Sequence, residues 1–466
     1  MIKNSLKKVM ILLSGLVVVF SMLFFWEKSH EKRDIYIGVP LVNNKIYRYD
    51  LLKKDLEEQF NVEVNFVDLY KDIKPDDTEQ DLMEDICTIL KTNEVDMILG
   101  VPSHQLEYAV SDKLLLEITD EILNIENMHK GVIDRSKKMG DGKLYYVSPV
   151  VNHISLLFQN KKILQELNME PLPEYMSWET FVNILDKVQE CINDKNLEYY
   201  PLALSVKNAN EDILFSAYDF QTLAYGLDSK IFEDDEFSER WENFYRLFAK
   251  IIYKYGKDLE EMDNGIYPKN YIYAEGNYAF MLGESYDVEV FLNESFNEEY
   301  NRTVPIKINL DFPIEISYIS YDGSKTQNFR DTSISINQGT LEKELTLEIL
   351  NYFLSKEYAY KIIDTRKEYS HFSNSLFSYP TYYDEDTIAI LNKSYDENFD
   401  AHLFYDIEYG SRINNTDQTN DSYLFDTSLN ESFTMIYNNR ENKEINNVIE
   451  EALEYVQNKL KKAKGK

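Results

Sequence analysis

Between Ile35 and Leu114 the chain switches repeatedly between two apolar rhythms, and this alternation is what most limits its fold. "IYIGV", Ile35 to Val39, is a short continuous apolar run, as a buried strand requires. Tyr49 to Phe60 then places Leu52, Leu56 and Phe60 at helical spacing. "VEVNFV", Val62 to Val67, alternates as a strand, and Gln80 to Thr92 carries Leu82, Ile86, Ile89 and Leu90 on one helical face. "VDMILG", Val95 to Gly100, is a third strand, followed by helix-spaced Leu106, Val110 and Leu114. Strand, helix, strand, helix, strand predicts a parallel sheet covered on both faces. Ligands bind such sheets beyond the carboxyl ends of the strands. The loops after Val39 and Gly100 are therefore the first candidates, with Asn43 and Asn44 in one and Ser103 and His104 in the other.

Beyond this unit, "DGKLYYVSP" is a glycine turn leading into half-apolar residues that run to Asn152 and His153. A helix start follows at "QNKKIL", and Pro171 to Pro173 are expected to stop that helix. Ser177 has the position of an N-cap, with Met176 and Phe181 as a hydrophobic staple. Phe181, Leu185, Val188 and Ile192 give the next helix its buried face, and Trp178 is read as a packing residue. Trp241, Phe244, Phe248, Ile252 and Tyr255 form another helical core stripe. "YAFML" and "DTSISIN" read as strands, and Leu345, Ile349, Leu350, Phe353 and Leu354 mark a further helix. Glu408 to Ser432, rich in Asn, Asp, Thr and Ser, reads as surface loop. Lys443 to Leu460 reads as an amphipathic helix with a basic tip.

Charge bears on partners. With 82 acidic and 49 basic residues the net charge is −33, which repels nucleic acid and sets it aside as a partner. The N-terminus bears on compartment. Lys3, Lys7 and Lys8 precede a low-charge run from Val9 to Trp26, long enough to span a bilayer. No small-residue cleavage site and no lipid-attachment cysteine follows it. The expectation is an uncleaved single-pass anchor in residues 1–34, including a charged tether from Glu27 to Asp34, with an extracytoplasmic body from 35 to 466. A cleaved signal peptide is the alternative. Cys87 and Cys191 each lie on the apolar side of a helix and read as free thiols, with a disulfide as the alternative.

The body resembles the extracellular solute-binding proteins of ABC importers, in the carbohydrate-binding group that includes maltose-binding protein. The resemblance rests on "DGKLYYVSP", "QNKKIL", "EPLPEYMSWETF", "YAEGNYAFMLGESY" and "SISINQGTLEKELTLEILNYFLSKEYAYKII", in that order, from about Ile35 to Leu460. It implies an α/β, two-lobed periplasmic-binding-protein-like fold, each lobe a mostly parallel sheet flanked by helices. An N lobe of about 35–150 plus part of 275–345 and a C lobe of about 151–275 plus 345–466 are expected. Three departures stand out: no lipid-attachment cysteine, Val95 where the group has proline before the aspartate, and Tyr286 where tryptophan is usual.

The implied function is capture of a carbohydrate or similar small polar solute between the lobes, for delivery to ABC permease subunits. Neither catalysis nor a cofactor or metal is implied. A membrane-anchored sensor or scaffold with the same fold is the alternative, and a carbohydrate-active enzyme a more distant one. Tyr286 matches the family's aromatic position. Asn152 and His153 follow the crossing after "YYVSP", Tyr146 stands where the group has a small residue, and Tyr225 precedes a glycine in a loop. Tyr321 and Asp322 lie in the turn "SYDGSK", and His104 and Asn43 come from the strand-end loops. Tyrosine suits such a site, offering an apolar face to C–H groups and a hydroxyl to polar ones. Enzyme signatures are missing from the sequence: no G-x-S-x-G, no H-E-x-x-H and no phosphate loop. "NNTDQTNDS" lacks the central glycine and closing glutamate of a calcium loop.

Overall fold

The computed structural model describes residues 32–40, 49–71, 79–152, 155–170, 172–207, 232–233, 236–258, 273–284, 287–288, 291, 310–320, 323, 326–327, 330–365, 379–394, 400–405, 408–409, 422–441 and 443–464. The expected strands and helices at the start of the body form: β1 (Arg33–Val39), α1 (Asp50–Phe60), β2 (Val62–Asp68), α2 (Glu79–Lys91) and β3 (Met97–Val101). Arg33 and Asp34, read as tether, already pair with Val62 and Glu63 of β2. The helix after β3 is shorter than the Leu106–Val110–Leu114 spacing suggested. It comprises a 3-10 turn, Ser103–Leu106, and α3 (Glu107–Ser111), closed by Lys113 at φ 57°. Next come α4 (Lys130–Met139) and β4 (Tyr146–Val147). The turn between them uses the motif "DGK": Asp141 and Gly142 both take positive φ, 51° and 89°, which suits aspartate and glycine.

Three elements carry the chain onward: β5 (Val150–Asn152), β6 (Ser155–Asn160) and α5 (Lys161–Leu167). Asn160 caps α5, its Oδ1 accepting the N–H groups of Lys162 and Ile163. The helix ends at Leu167 with Asn168 left-handed at φ 59°, so the stop precedes the prolines expected to impose it. The C lobe then adds β7 (Tyr175–Ser177), α6 (Trp178–Lys195), β8 (Tyr200–Ala203), α7 (Glu239–Tyr255), β9 (Tyr278–Glu284) and β10 (Ile314–Ser320). Ser177 Oγ accepts the Thr180 N–H, as the capping pattern predicts. Phe181, Leu185, Val188 and Ile192 are all buried, and Trp178 is fully so, edge-on to Phe181, Phe244 and Phe248.

The return path is β11 (Arg330–Asp331), β12 (Ser333–Ile336), α8 (Lys343–Phe353), α9 (Lys356–Thr365), β13 (Tyr379–Pro380), α10 (Glu385–Ser394) and α11 (His402–Tyr405). Two long helices close the chain, α12 (Ser422–Asn439) and α13 (Ile445–Lys464).

These elements build two five-stranded sheets, β2-β1-β3-β12-β4 and β7-β10-β6-β9-β8, joined by a three-stranded sheet β11-β5-β13. In each large sheet four strands share one direction and one opposes them. β1, β2 and β3 are parallel, and β12 is antiparallel to β3 and β4. In the other sheet β6 is antiparallel to β9 and β10, which run parallel to β8 and β7. "Mostly parallel" thus holds with one reversal per lobe. The reversed strands, β12 and β6, are the ones that enter a lobe from the linking sheet.

The expected lobe boundaries need correction. Residues 343–405 belong with the N lobe, because the connection from β12 to α8 is too short to cross over. Tyr352 of α8 packs edge-on against Phe60 of α1, with ring centroids 5.6 Å apart. Tyr352 Oη donates to Asp55 of α1 at 2.7 Å. Conversely, Tyr278–Glu284 and Ile314–Ser320 are C-lobe strands.

The segment read as loop up to Ser432 is, from Ser422, part of α12, with Ser428, Leu429, Ser432 and Phe433 buried. Its polar composition misleads because the hydroxyls bond within the fold. Ser432 Oγ donates to the Leu429 carbonyl, Thr434 Oγ1 to that of Asn430, and Tyr245 Oη to Ser432 Oγ. Cys87 is buried and Cys191 half-buried, and both thiols are free. Among the described residues no helix is long and apolar enough to cross a membrane, and the Val9–Trp26 run lies outside them.

Candidate functional site

Strand direction points to a candidate site. In the N lobe β1, β3 and β4 run toward the linking sheet: β4 feeds β5 directly, and β12 leaves β11 in the opposite sense. In the C lobe β6 leaves β5, and its antiparallel partners β9 and β10 return toward it, with Glu284 opposite Ser155 and Ser317 opposite Leu157. The carboxyl ends of four strands in each lobe therefore face the junction. Loops at strand carboxyl ends carry ligand groups in sheets of this kind.

The junction itself is closely knit. Val151 pairs with Asp331 on one side and Tyr379 on the other. Ser148 Oγ lies 2.5 Å from the Val150 carbonyl oxygen and accepts the Thr332 N–H at 3.1 Å. The Thr381 N–H donates to the Pro149 carbonyl at 2.8 Å, and the His129 N–H to the Thr381 carbonyl at 2.8 Å. Three crossing segments are thus held together through short strands and the Ser148 hydroxyl.

His129 holds the N-lobe side. Its ring is buried beside Tyr383 and Tyr405, which stack at 4.5 Å between centroids. Nδ1 accepts the Gly131 N–H at 3.1 Å, capping α4, and Nε2–H donates to the Phe404 carbonyl at 3.1 Å. This pair of bonds fixes the neutral tautomer with the proton on Nε2. Burial lowers its pKa to about 4, against the opposing pull of the backbone hydrogen bonds. Sequence reasoning passed over His129 and Ser148, because what makes them structural is contact with residues far along the chain.

Of the residues singled out from sequence, Tyr146 is in β4 with a fully buried ring, its Oη 2.8 Å from Met139 Sδ, and it shows no surface to a solute in this structure. Asn152 ends β5 opposite Arg330. His104 is in the 3-10 turn immediately beyond β3. Asn43, His153, Tyr225, Tyr286, Tyr321 and Asp322 lie outside the described residues. Their described neighbours are nonetheless informative. β6 starts two residues after His153, β9 ends two before Tyr286, and β10 ends immediately before Tyr321 and Asp322.

Among the described residues no cluster of His, Cys, Asp or Glu has the geometry to hold a metal. Burial pushes the Cys87 thiol up to about 11, which removes it as a nucleophile at neutral pH.

Residues 52–372 match the sequence profile of a family described as bacterial extracellular solute-binding protein. No curated protein sequence matches the chain at a significant level. Its fold is that of several solved structures. The bacterial solute receptor AcbH, reported with an exclusive preference for β-D-galactopyranose, aligns with TM-score 0.58 at 13% identity over 93% of this chain and 99% of its own. The sugar-binding protein MalE from Xanthomonas citri gives 0.57 at 13% identity, covering 92% and 98%. An ABC substrate-binding protein from Listeria monocytogenes in complex with cycloalternan gives 0.54 at 14% identity, covering 93% and 100%. The two-lobed architecture read from the motifs is therefore borne out.

Proposed function

Because this chain belongs to the bacterial extracellular solute-binding proteins, we propose that it captures a carbohydrate between its lobes and delivers it to the membrane subunits of an ABC importer. The observation that carries this reading is directional: both sheets aim their strand carboxyl ends at one junction, and that junction is built from three short crossing strands. Such a layout gathers loop residues from two rigid bodies around one solute, and rotation at the crossing closes them. Structural relatives reported as sugar-binding or bound to a saccharide support carbohydrate as the solute class.

Within this reading Tyr286 is the stacking platform, with Asn43, His104, Asn152, His153, Tyr225, Tyr321 and Asp322 supplying polar contacts. Stacking suits a sugar's C–H face, and the polar groups pair with its hydroxyls. The Val9–Trp26 run serves as an uncleaved anchor that keeps the body beside its permease. Sequencing the N-terminus of protein extracted from membranes tests this, and a mature start near Ser29 would overturn it.

A thermal-shift screen against monosaccharides, oligosaccharides, amino acids and peptides tests the solute class. A ligand at 100 times its Kd stabilises the folded state by about 2.7 kcal/mol, enough to raise the melting temperature visibly. A shift confined to amino acids or peptides would refute the carbohydrate assignment. Tyr286→Ala should weaken the binding of the sugar so found by roughly 1–3 kcal/mol without lowering the melting temperature of the free protein.

A further inference from the structure

The N-lobe sheet ends on β2, which has no strand on its outer side among the described residues. Backbone groups along such a strand face in and out alternately. Beyond its end, the Leu69 N–H turns inward to the Val39 carbonyl at 3.0 Å. Val64 turns outward. An outward residue on an open edge offers one N–H and one C=O to any strand that arrives.

At Val64 both groups are already taken, and by side chains. Glu57 Oε1 accepts its N–H at 3.1 Å, and Lys53 Nζ donates to its carbonyl at 2.7 Å. Both side chains come from α1, one turn apart, and they lie 3.5 Å from each other as an ion pair. An ion pair at this spacing on a helix surface is worth little to the helix. That value does not explain why both members reach past the helix to the same residue of the neighbouring strand. A single residue, Asn61 at φ 51°, joins α1 to β2, so the clip and the edge it covers move as one body. The covered strand, "VEVNFVD", alternates, is rich in β-branched residues and contains neither glycine nor proline. Uncovered, it would be a good template for strand addition.

We propose that Lys53 and Glu57 form an edge guard that keeps β2 from pairing with β2 of a second copy of this chain. The excluded contact is antiparallel about a two-fold axis near Val64, where each copy would need the N–H and C=O that the guard occupies.

The test uses the full chain and its Lys53→Ala/Glu57→Ala variant, with Glu57→Gln as the conservative partner. Because bodies of net charge −33 repel one another, sedimentation is run at about 0.5 M salt, where exposed charges are screened. In the double variant, amide exchange across residues 62–68 should quicken roughly tenfold at Val64. A dimer should appear as protein concentration rises toward about 100 µM, a range in which open strand edges associate. Glu57→Gln keeps an oxygen for the Val64 N–H and should stay monomeric. Lys53→Met/Glu57→Met, which keeps both packed stems and loses the donor and the acceptor, serves if the alanine variant melts early, and it too should dimerise. Monomers in both Lys53 variants at the highest concentration overturn the proposal, as does a Glu57→Gln protein that dimerises equally.

Discussion

Taking the protein from pH 7 to pH 4 should cost it about 3 kcal/mol through His129 alone, a figure that follows from its displaced titration. The folded-state pKa, about 4, is below the ordinary 6.5. Unfolded chains therefore bind the proton as pH falls through 6.5, while the folded protein refuses it until about pH 4. Stability contributed by the neutral ring is complete above pH 6.5, declines between 6.5 and 4, and levels off below. The slope in that window approaches 1.4 kcal/mol per pH unit for one group. Eighty-two carboxylates also titrate toward its acid end, so the measurement must be a difference. Urea unfolding of wild type and His129→Gln between pH 7.5 and 4 supplies it. Glutamine keeps an acceptor near the Gly131 N–H but cannot bind a proton. The gap between the two proteins should move by about 3 kcal/mol in favour of the variant as the pH falls. A constant gap, or a His129 ring that titrates near 6.5 by NMR in the folded protein, would refute the reasoning.

Other substitutions probe the scaffold. Trp178→Ala opens the centre of the C-lobe aromatic cluster and should cost about 3–5 kcal/mol by calorimetry. Asn160→Ala removes two capping bonds at a fully buried position and should cost about 2 kcal/mol in denaturant unfolding. Gly283→Ala drives a methyl group into the Asp287 carboxylate and to within 2.7 Å of a ring carbon of Phe158, so a loss of about 1–3 kcal/mol is expected. An unchanged melting temperature in any of these three would contradict the packing described.

The motifs that carried the family resemblance have mostly local explanations, which is why they were legible. "DGK" is a turn with two left-handed residues, the asparagine of "QNKK" caps α5, and the serine of "SWETF" caps α6. The glycine of "YAEGNY" takes φ 79° where a side chain would be strained. Each is decided within a few residues, and so were the early strands and helices. What stayed out of sight depended on packing and pairing that no short stretch of sequence encodes. Nothing near Ser333 announces that its Oγ will donate to the Val101 carbonyl, 232 positions earlier, with β12 at the heart of the N-lobe sheet. The helix around Ser432 looked like loop because its hydroxyls find acceptors in its own backbone and its apolar residues find α7. Tyr146, singled out for the cleft, has a fully buried ring beside Met139. The candidate site was legible only as loops at strand ends, since loops take their shape from what they bind as much as from local propensity.

The order of the N-lobe sheet also governs how the molecule comes into being. A chain emerging from its N-terminus exposes β1, β2, β3 and β4 long before β12 exists, yet β12 separates β3 from β4. The groove that Ile334 and Ile336 will fill, both fully buried at the end, stays open while the whole first pass through the C lobe is made. Until then the half-finished lobe shows apolar surface to its surroundings, and association with the wrong partner competes with completion. The lobes cannot be separated as consecutive pieces, because any fragment ending before Ser333 lacks the strand that holds the first lobe together.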